Sequence, residues 1–300
     1  MTGTFNASEM WARIISETQL DPSLDLDENR IREINKHLAG WDPAANGVRY
    51  AKTALYLAAQ RLESRHWALL DAIGETRLRD PVEVILGSRS IGFDYLQVVL
   101  ELDFMAPALD KANTVTEIGA GYGRTAHGVL ITRPNLHRYT IIDLAPCLAL
   151  SRSYLRRVLP QEFFTKIAFV ANDELGDGAV IGGDLVINID SMAEMDAEIV
   201  RGYLCLIDRY ATTFYCKNPV GKYMPQSIGL PESAIGSVAT SQAMKTGLLR
   251  DIVDIFNELD IEGRSDAFAA AYRPSPDWGL INASPALPWT YYRQALFGRV

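Results

Sequence analysis

The chain has 300 residues, 48% apolar and 22% charged, enough to bury one large core or a core plus a helical lobe, and too apolar to remain disordered. Its net charge of −8 opposes a polyanion-binding surface, which is driven by lysine and arginine displacing counterions from phosphate, so no nucleic-acid partner is expected. No run approaches the roughly 18 apolar residues of a membrane span, and Glu9 and Glu17 stand where a signal peptide needs a basic start and an apolar stretch; a cytoplasmic protein without membrane contact is expected.

From Ser8 to about Leu109 the apolar periodicity is helical, with Ser8 and Asp27 as capping candidates. An alanine- and leucine-rich stretch runs through residues 47–73. Residues 94–105 repeat the signal, with Leu96, Val99, Leu100 and Phe104 on one face. An all-helical N-terminal lobe over residues 1–110 is therefore expected, as a cap on a site or a surface that pairs two subunits into a homodimer. At Thr114 the pattern changes to short β-branched runs separated by helices, as a parallel α/β sheet requires. Strands are expected at residues 114–118, 139–142, 167–170, 184–189 and 212–216. Helices are expected behind the first at 124–131, behind the second up to Pro160, and at 195–210. Residues 111–300 thus read as a Rossmann-like domain with helices on both faces and ligands at the carboxyl ends of its strands. Residues 219–236, rich in proline and glycine, read as a substrate-side loop. A helix is expected over 244–259, and a closing strand pair at 278–283 and 291–297, the latter with a short helix as the alternative. Cys147, Cys205 and Cys216 have no metal or redox spacing and fit reduced, mostly buried thiols.

The first strand ends in Glu117-Ile118-Gly119-Ala120-Gly121-Tyr122-Gly123. A dinucleotide fingerprint would place its third glycine at position 124, which is Arg124; here it is Gly123. Gly119, Gly121 and Gly123 let the main chain approach a nucleotide-like ligand closely. Glu117 is costly to bury alone and is expected to accept from the ligand or from main-chain donors. Asp143, at the second strand end, is placed to accept ribose hydroxyls, with Leu144 beside it. Asn172 and Asp173, after the third strand, are placed for an adenine amino group; a turn or cap role competes for both.

The segment from Glu117 to Arg124, together with the run from Asp184 through Asn188, Ile189, Asp190, Ser191 and Glu194 to Met195, resembles the sugar O-methyltransferase family, class I enzymes of bacterial antibiotic and glycan pathways. The resemblance extends over residues 86–218. It implies S-adenosyl-L-methionine as cofactor, S-adenosyl-L-homocysteine as product, and a sugar, aminosugar or glycosylated natural product as small-molecule acceptor. Ala120, Asn188 and Ile189 are placed with the glycines around the cofactor; Tyr122 is placed to cover it, with aromatic packing against the helical lobe as the alternative, and Arg89 to pair with its carboxylate or with an anionic acceptor, with surface exposure as the alternative.

Methyl transfer to a sugar hydroxyl requires alignment of the acceptor oxygen and removal of its proton. Asp190 and Glu194, just past the fourth strand, are the candidate bases, Asp190 preferred; His127 is a rival. The competing structural roles are a helix cap for Asp190, a capping box between Ser191 and Glu194, and packing against the sheet for His127. His37, His66 and His137 read as surface or lobe residues. Ser191, Lys217 and Asn218, with Asp190, are candidate acceptor contacts. No acid or histidine cluster marks a metal site, and none is expected. The alternatives are N-methylation, O-methylation of a non-sugar metabolite, a cofactor-binding structural partner without turnover, and a nicotinamide-linked dehydrogenase.

Overall fold

The computed structural model describes residues 9–18, 43–74, 82–175, 182–230 and 238–300. His37 and residues 231–236 of the expected substrate loop lie outside them. The described residues form nine strands: β1 (Glu83–Leu86), β2 (Arg89–Gly92), β3 (Thr114–Ile118), β4 (Arg138–Asp143), β5 (Ile167–Ala171), β6 (Gly183–Ile189), β7 (Ala211–Pro219), β8 (Trp278–Pro285) and β9 (Tyr292–Arg299). β1 and β2 form a separate hairpin, and the other seven form one sheet in the order β5-β4-β3-β6-β7-β9-β8. The five strands from β5 to β7 are parallel; β9 is antiparallel to both β7 and β8. This is a Rossmann-like sheet extended at one edge by an antiparallel strand pair. The strand order reverses at β3, whose neighbours are β4 and β6, so a crevice opens at its carboxyl end.

Alternation along the strands sends successive side chains to opposite faces. Leu185 and Ile187 join Val115, Tyr139 and Ile141 in one core, under the helices Phe93–Leu109, Arg124–Thr132 and Ala145–Val158. Val186, Phe214 and Cys216 face the other core, under the helices Ala197–Tyr210 and Ser265–Tyr272. Each fully buried Leu, Ile or Val contributes about 1.5–3 kcal/mol by leaving water. The helix Phe93–Leu109 is apolar on more than one side because it serves two cores: Val98, Leu102 and Met105 pack toward the sheet, while Leu96 packs with Leu55, Ala59 and Ile91 in the lobe. Gly128 permits its close approach to the helix Arg124–Thr132, since a Cβ there would meet Val98 Cγ1 at 2.6 Å.

The lobe contains helices at Glu9–Thr18, Pro43–Ala59 and Ser64–Ile73, but the expectation of an all-helical segment missed the hairpin. Gly87 adopts φ +62° in a two-residue turn between Leu86 and Arg89. The Gly87-Ser88 pair after the apolar run Val84-Ile85-Leu86 is a hairpin-turn signal that helical periodicity on either side obscured. The helix expected over 244–259 is also absent. Gly247, at φ +76°, donates to the Met195 carbonyl at 2.7 Å, and Lys222 exchanges main-chain bonds with Asp251 and Val253. These tertiary main-chain partners replace the helical ladder, leaving short helices at Val238–Ala243 and Glu258–Glu262. The closing pair is β8 and β9, both strands. Cys216 is buried, Cys147 half-buried and Cys205 exposed, correcting the expectation that the thiols are mostly buried. Among the described residues no helix is long and apolar enough to cross a membrane.

Candidate cofactor and acceptor site

Gly119, Gly121 and Gly123 all have positive φ, at +75°, +58° and +96°, so the turn between β3 and its helix is closed to side chains without strain. The three differ in surroundings. A Cβ at Gly119 would fall 2.0 Å from Ser191 Oγ, whereas one at Gly121 would meet nothing within 4 Å. The turn is therefore sealed against the β6 end at Gly119 and open at Gly121. The Asp143 carboxylate, one strand away, accepts from the Gly121 N–H at 3.0 Å through Oδ2 and from the Leu144 N–H at 2.8 Å through Oδ1. Leu144 is exposed beside it, and Asn172 and Asp173 are exposed in the turn after β5. The glycine turn, Asp143, and Asn172 with Asp173 thus follow the carboxyl ends of β3, β4 and β5, which are neighbours in the sheet. Ala120 is buried in the turn, and Ile189 packs against the core at the β6 end.

Glu117 is buried and accepts from the Tyr139 phenol at 2.7 Å, so its carboxylate is held within the core. Burial pushes it up to about 7, against the lowering effect of Tyr139 and Arg124. Lys217 is equally buried and binds Glu101 at 2.8 Å and Gln97 at 3.0 Å, on the helix Phe93–Leu109. Arg124 grips Glu101 with two hydrogen bonds, at 2.8 and 3.1 Å. Burial alone would raise Glu101; the two cations outweigh it and hold the carboxylate ionised.

At the end of β6 the buried Asn188 amide donates to the Ile118 carbonyl at 3.0 Å and to Ser191 Oγ at 2.7 Å, and its carbonyl accepts from Asn218 at 2.9 Å. The Asn218 carbonyl oxygen is buried without a partner among the described residues, the kind of atom that water or a ligand satisfies. Asp190 follows at φ +66°, ψ −40°, conformations that L-residues enter only under strain. It makes no side-chain cap to the turn after it. Its N–H donates to the Lys217 carbonyl at 2.7 Å, and its Oδ1 accepts from the Tyr292 phenol at 2.5 Å. Ser191 Oγ donates to the Ile118 carbonyl at 3.1 Å, so the hydroxyl tightens the junction of β3 and β6.

Beyond Asp190 lies a cavity of about 800 Å³, with Glu194, Lys222, Tyr223, Tyr291 and Tyr292 in its wall. Glu194 is raised by partial burial and by Asp190, and lowered by Lys222. Lys222 Nζ donates to the Ala193 carbonyl at 3.0 Å. Burial and Asp190 push the Tyr292 phenol well above its ordinary value, keeping it a proton donor. The sequence did not single out Tyr292, Lys222, Glu101 or Asp94; the adjacent tyrosines at 291 and 292 were the available cue.

The remaining candidates are engaged elsewhere. Arg89 lies on the hairpin, bonded to Asp71 at 2.7 Å and stacked over Trp67. His127 is buried among aromatic rings, its Nδ1 2.7 Å from the Tyr95 hydroxyl, and burial pulls it down to about 4. The Tyr122 phenol donates to Asp94 at 2.7 Å. His66 is buried in the lobe against Asp103, and His137 is exposed. No group of three or more potential metal ligands occurs among the described residues.

Solved structures similar to this chain include the mitomycin 7-O-methyltransferase MmcR, at 16% identity and TM-score 0.43 over 69% of this chain and 56% of that one. The methyltransferase domain of bacterial CtHen1-C has 12% identity and TM-score 0.47 over 67% and 96%. An O-methyltransferase family protein from Burkholderia thailandensis has 15% identity and TM-score 0.42 over 69% and 58%. The match thus spans little more than half the length of MmcR. No family model and no curated protein matches the chain.

Proposed function

We propose that the chain is an S-adenosyl-L-methionine-dependent O-methyltransferase acting on a hydroxyl of a sugar, aminosugar or glycosylated small molecule. The observation that carries it is the bond between Asp143 and the Gly121 N–H. It joins a glycine turn open to a ligand and an acid with free lone pairs at the switch point of the sheet. The fit to an adenosine-bearing cofactor is good: Gly121 leaves room for a close approach, Leu144 offers an exposed apolar face, and Asp143 retains acceptor capacity for hydroxyls.

When bound, the cofactor supplies a methyl group activated by positive sulfur. The chain's own task is to hold an acceptor hydroxyl and take its proton. Asp190 is the proposed base, oriented by Tyr292 and fixed through its main chain to Lys217. Glu194 and Lys222 are proposed to bind acceptor hydroxyls, and the rings of Tyr223 and Tyr291 to pack on the apolar face of a sugar. The segment up to residue 110 is proposed to cap this site or to pair two subunits in a cytoplasmic homodimer.

Calorimetry with S-adenosyl-L-homocysteine, followed by a mass-spectrometric screen of glycosides and aminoglycosides for a methyl-sized gain, tests the reading. Saturable S-adenosyl-L-homocysteine binding with methylated glycoside supports it. Binding of NAD in place of S-adenosyl-L-homocysteine overturns it.

A further inference from the structure

We infer that Glu101 is a positioning residue, a buried carboxylate that ties the glycine turn and Asp190 to the helix Phe93–Leu109; the inference rests on the proposed roles of those two elements. Glu101 is 1% exposed and receives Arg124 through both oxygens and Lys217 through Oε1. Arg124 immediately follows Gly123, the last glycine of the turn. The carbonyl of Lys217 accepts from the Asp190 N–H at 2.7 Å, holding the residue whose backbone is strained. One carboxylate therefore reaches both halves of the site, through Arg124, the residue after Gly123, and through Lys217, whose carbonyl holds the Asp190 N–H.

A second contact from the same helix supports the assignment. Asp94 accepts from the Tyr122 phenol at 2.7 Å, and its carbonyl accepts from Arg124 at 3.4 Å, so the helix holds the residues on both sides of Gly123. Stability alone does not account for the cluster. Three charged groups lose their hydration in the core, and apolar side chains of similar volume often serve stability equally well or better. What the charges supply is direction: the fork of Arg124 and the ammonium of Lys217 meet Glu101 in one geometry, which sets where two loops begin.

The test replaces the whole cluster by apolar side chains in the full chain, Glu101→Met/Arg124→Met/Lys217→Met, with Glu101→Asp as a second variant that keeps the charge and shortens the reach. Amide hydrogen exchange is followed without ligand, and S-adenosyl-L-homocysteine affinity is measured by calorimetry. The expected result is about tenfold faster exchange in both residues 119–123 and residues 190–193, unchanged protection in β3 and β4, and about tenfold weaker binding. Glu101→Asp should show the same pattern at smaller amplitude, and it decides the matter if the triple variant does not fold. Wild-type exchange in either segment of a folded variant, or unaltered affinity, overturns the inference. A wild-type chain that binds no S-adenosyl-L-homocysteine overturns the methyl-donor reading instead, and the ligand-free exchange measurement separates the two.

Discussion

The Tyr292 phenol donates to Asp190 Oδ1 at 2.5 Å, joining the last strand of the sheet to the end of β6 across 102 residues of chain. Asp190 is the only non-glycine residue with positive φ among those described. Such a conformation costs on the order of 1–3 kcal/mol and persists where surrounding contacts over-determine it. Tyr292, the Lys217 carbonyl and the β6 turn supply those contacts.

Asp190→Asn should separate chemistry from structure. Asparagine tolerates positive φ and keeps an oxygen for Tyr292, so thermal stability should change by less than about 1 kcal/mol, while transfer to the acceptor falls by roughly 10²–10⁴. A variant retaining more than about a tenth of wild-type turnover would remove Asp190 as the base.

The glycine turn offers a paired comparison. Gly119→Ala drives a Cβ into Ser191 and should lower thermal stability severely, because the strained backbone and the clash act together. Gly121→Ala meets no protein atom, so only about 1 kcal/mol of stability should be lost, while S-adenosyl-L-homocysteine affinity drops at least tenfold. Equal affinity in wild type and Gly121→Ala would show that the open side of the turn does not face the ligand.

Asp143→Ala removes a charge-assisted bond to the Gly121 N–H and the proposed hydroxyl acceptor. Calorimetry should report a loss of affinity of about 10–100-fold, in line with a lost hydrogen bond to a charged group. Undiminished binding would assign Asp143 to turn stabilisation alone.

Glu117 should make stability depend on pH. Its folded carboxyl is pushed up to about 7 from an ordinary 4.5, chiefly by burial and despite Tyr139, Arg124 and Thr125, with Glu101 adding to the rise. Between those values the folded chain holds a proton that the unfolded chain has released. The group's stabilisation is therefore present below about 4.5 and lost as pH rises through about 7, with about 3 kcal/mol at stake. His127 has the opposite sign: its folded pKa is pulled down to about 4, so stability is lost as pH falls below its ordinary 6.5. Comparison of wild type with Glu117→Gln isolates the first effect, since glutamine can still accept from Tyr139. Urea denaturation at pH 5 and pH 8 should show a smaller decline in the variant; parallel declines would refute the assignment.

The parts of the fold legible in the sequence were those governed by local pattern. Alternating β-branched runs marked β3 to β7, and the spacing of Gly119, Gly121 and Gly123 marked a turn that side chains cannot enter cheaply. The hairpin at Glu83–Gly92 escaped because four-residue strands carry little periodicity. The helix anticipated over 244–259 failed because Gly247 and Lys222 find main-chain partners far away in sequence. At the site, Glu117 and Lys217 looked ligand-facing at strand ends, yet Tyr139 and Glu101 hold them in the core. Period-two alternation marks opposite faces of a strand, but it does not say which polar groups will find buried partners.

The order of residues alone established a parallel sheet with a glycine turn at its centre and an acid at the neighbouring strand end, because backbone sterics and strand periodicity act over a few residues. Only folding decided that Tyr292 would meet Asp190, that Glu101 would gather Arg124 and Lys217, and that His127 would be sealed among aromatic rings. Those contacts span separations of 102, 116 and 32 residues, and they depend on how helices and strands pack around a common core.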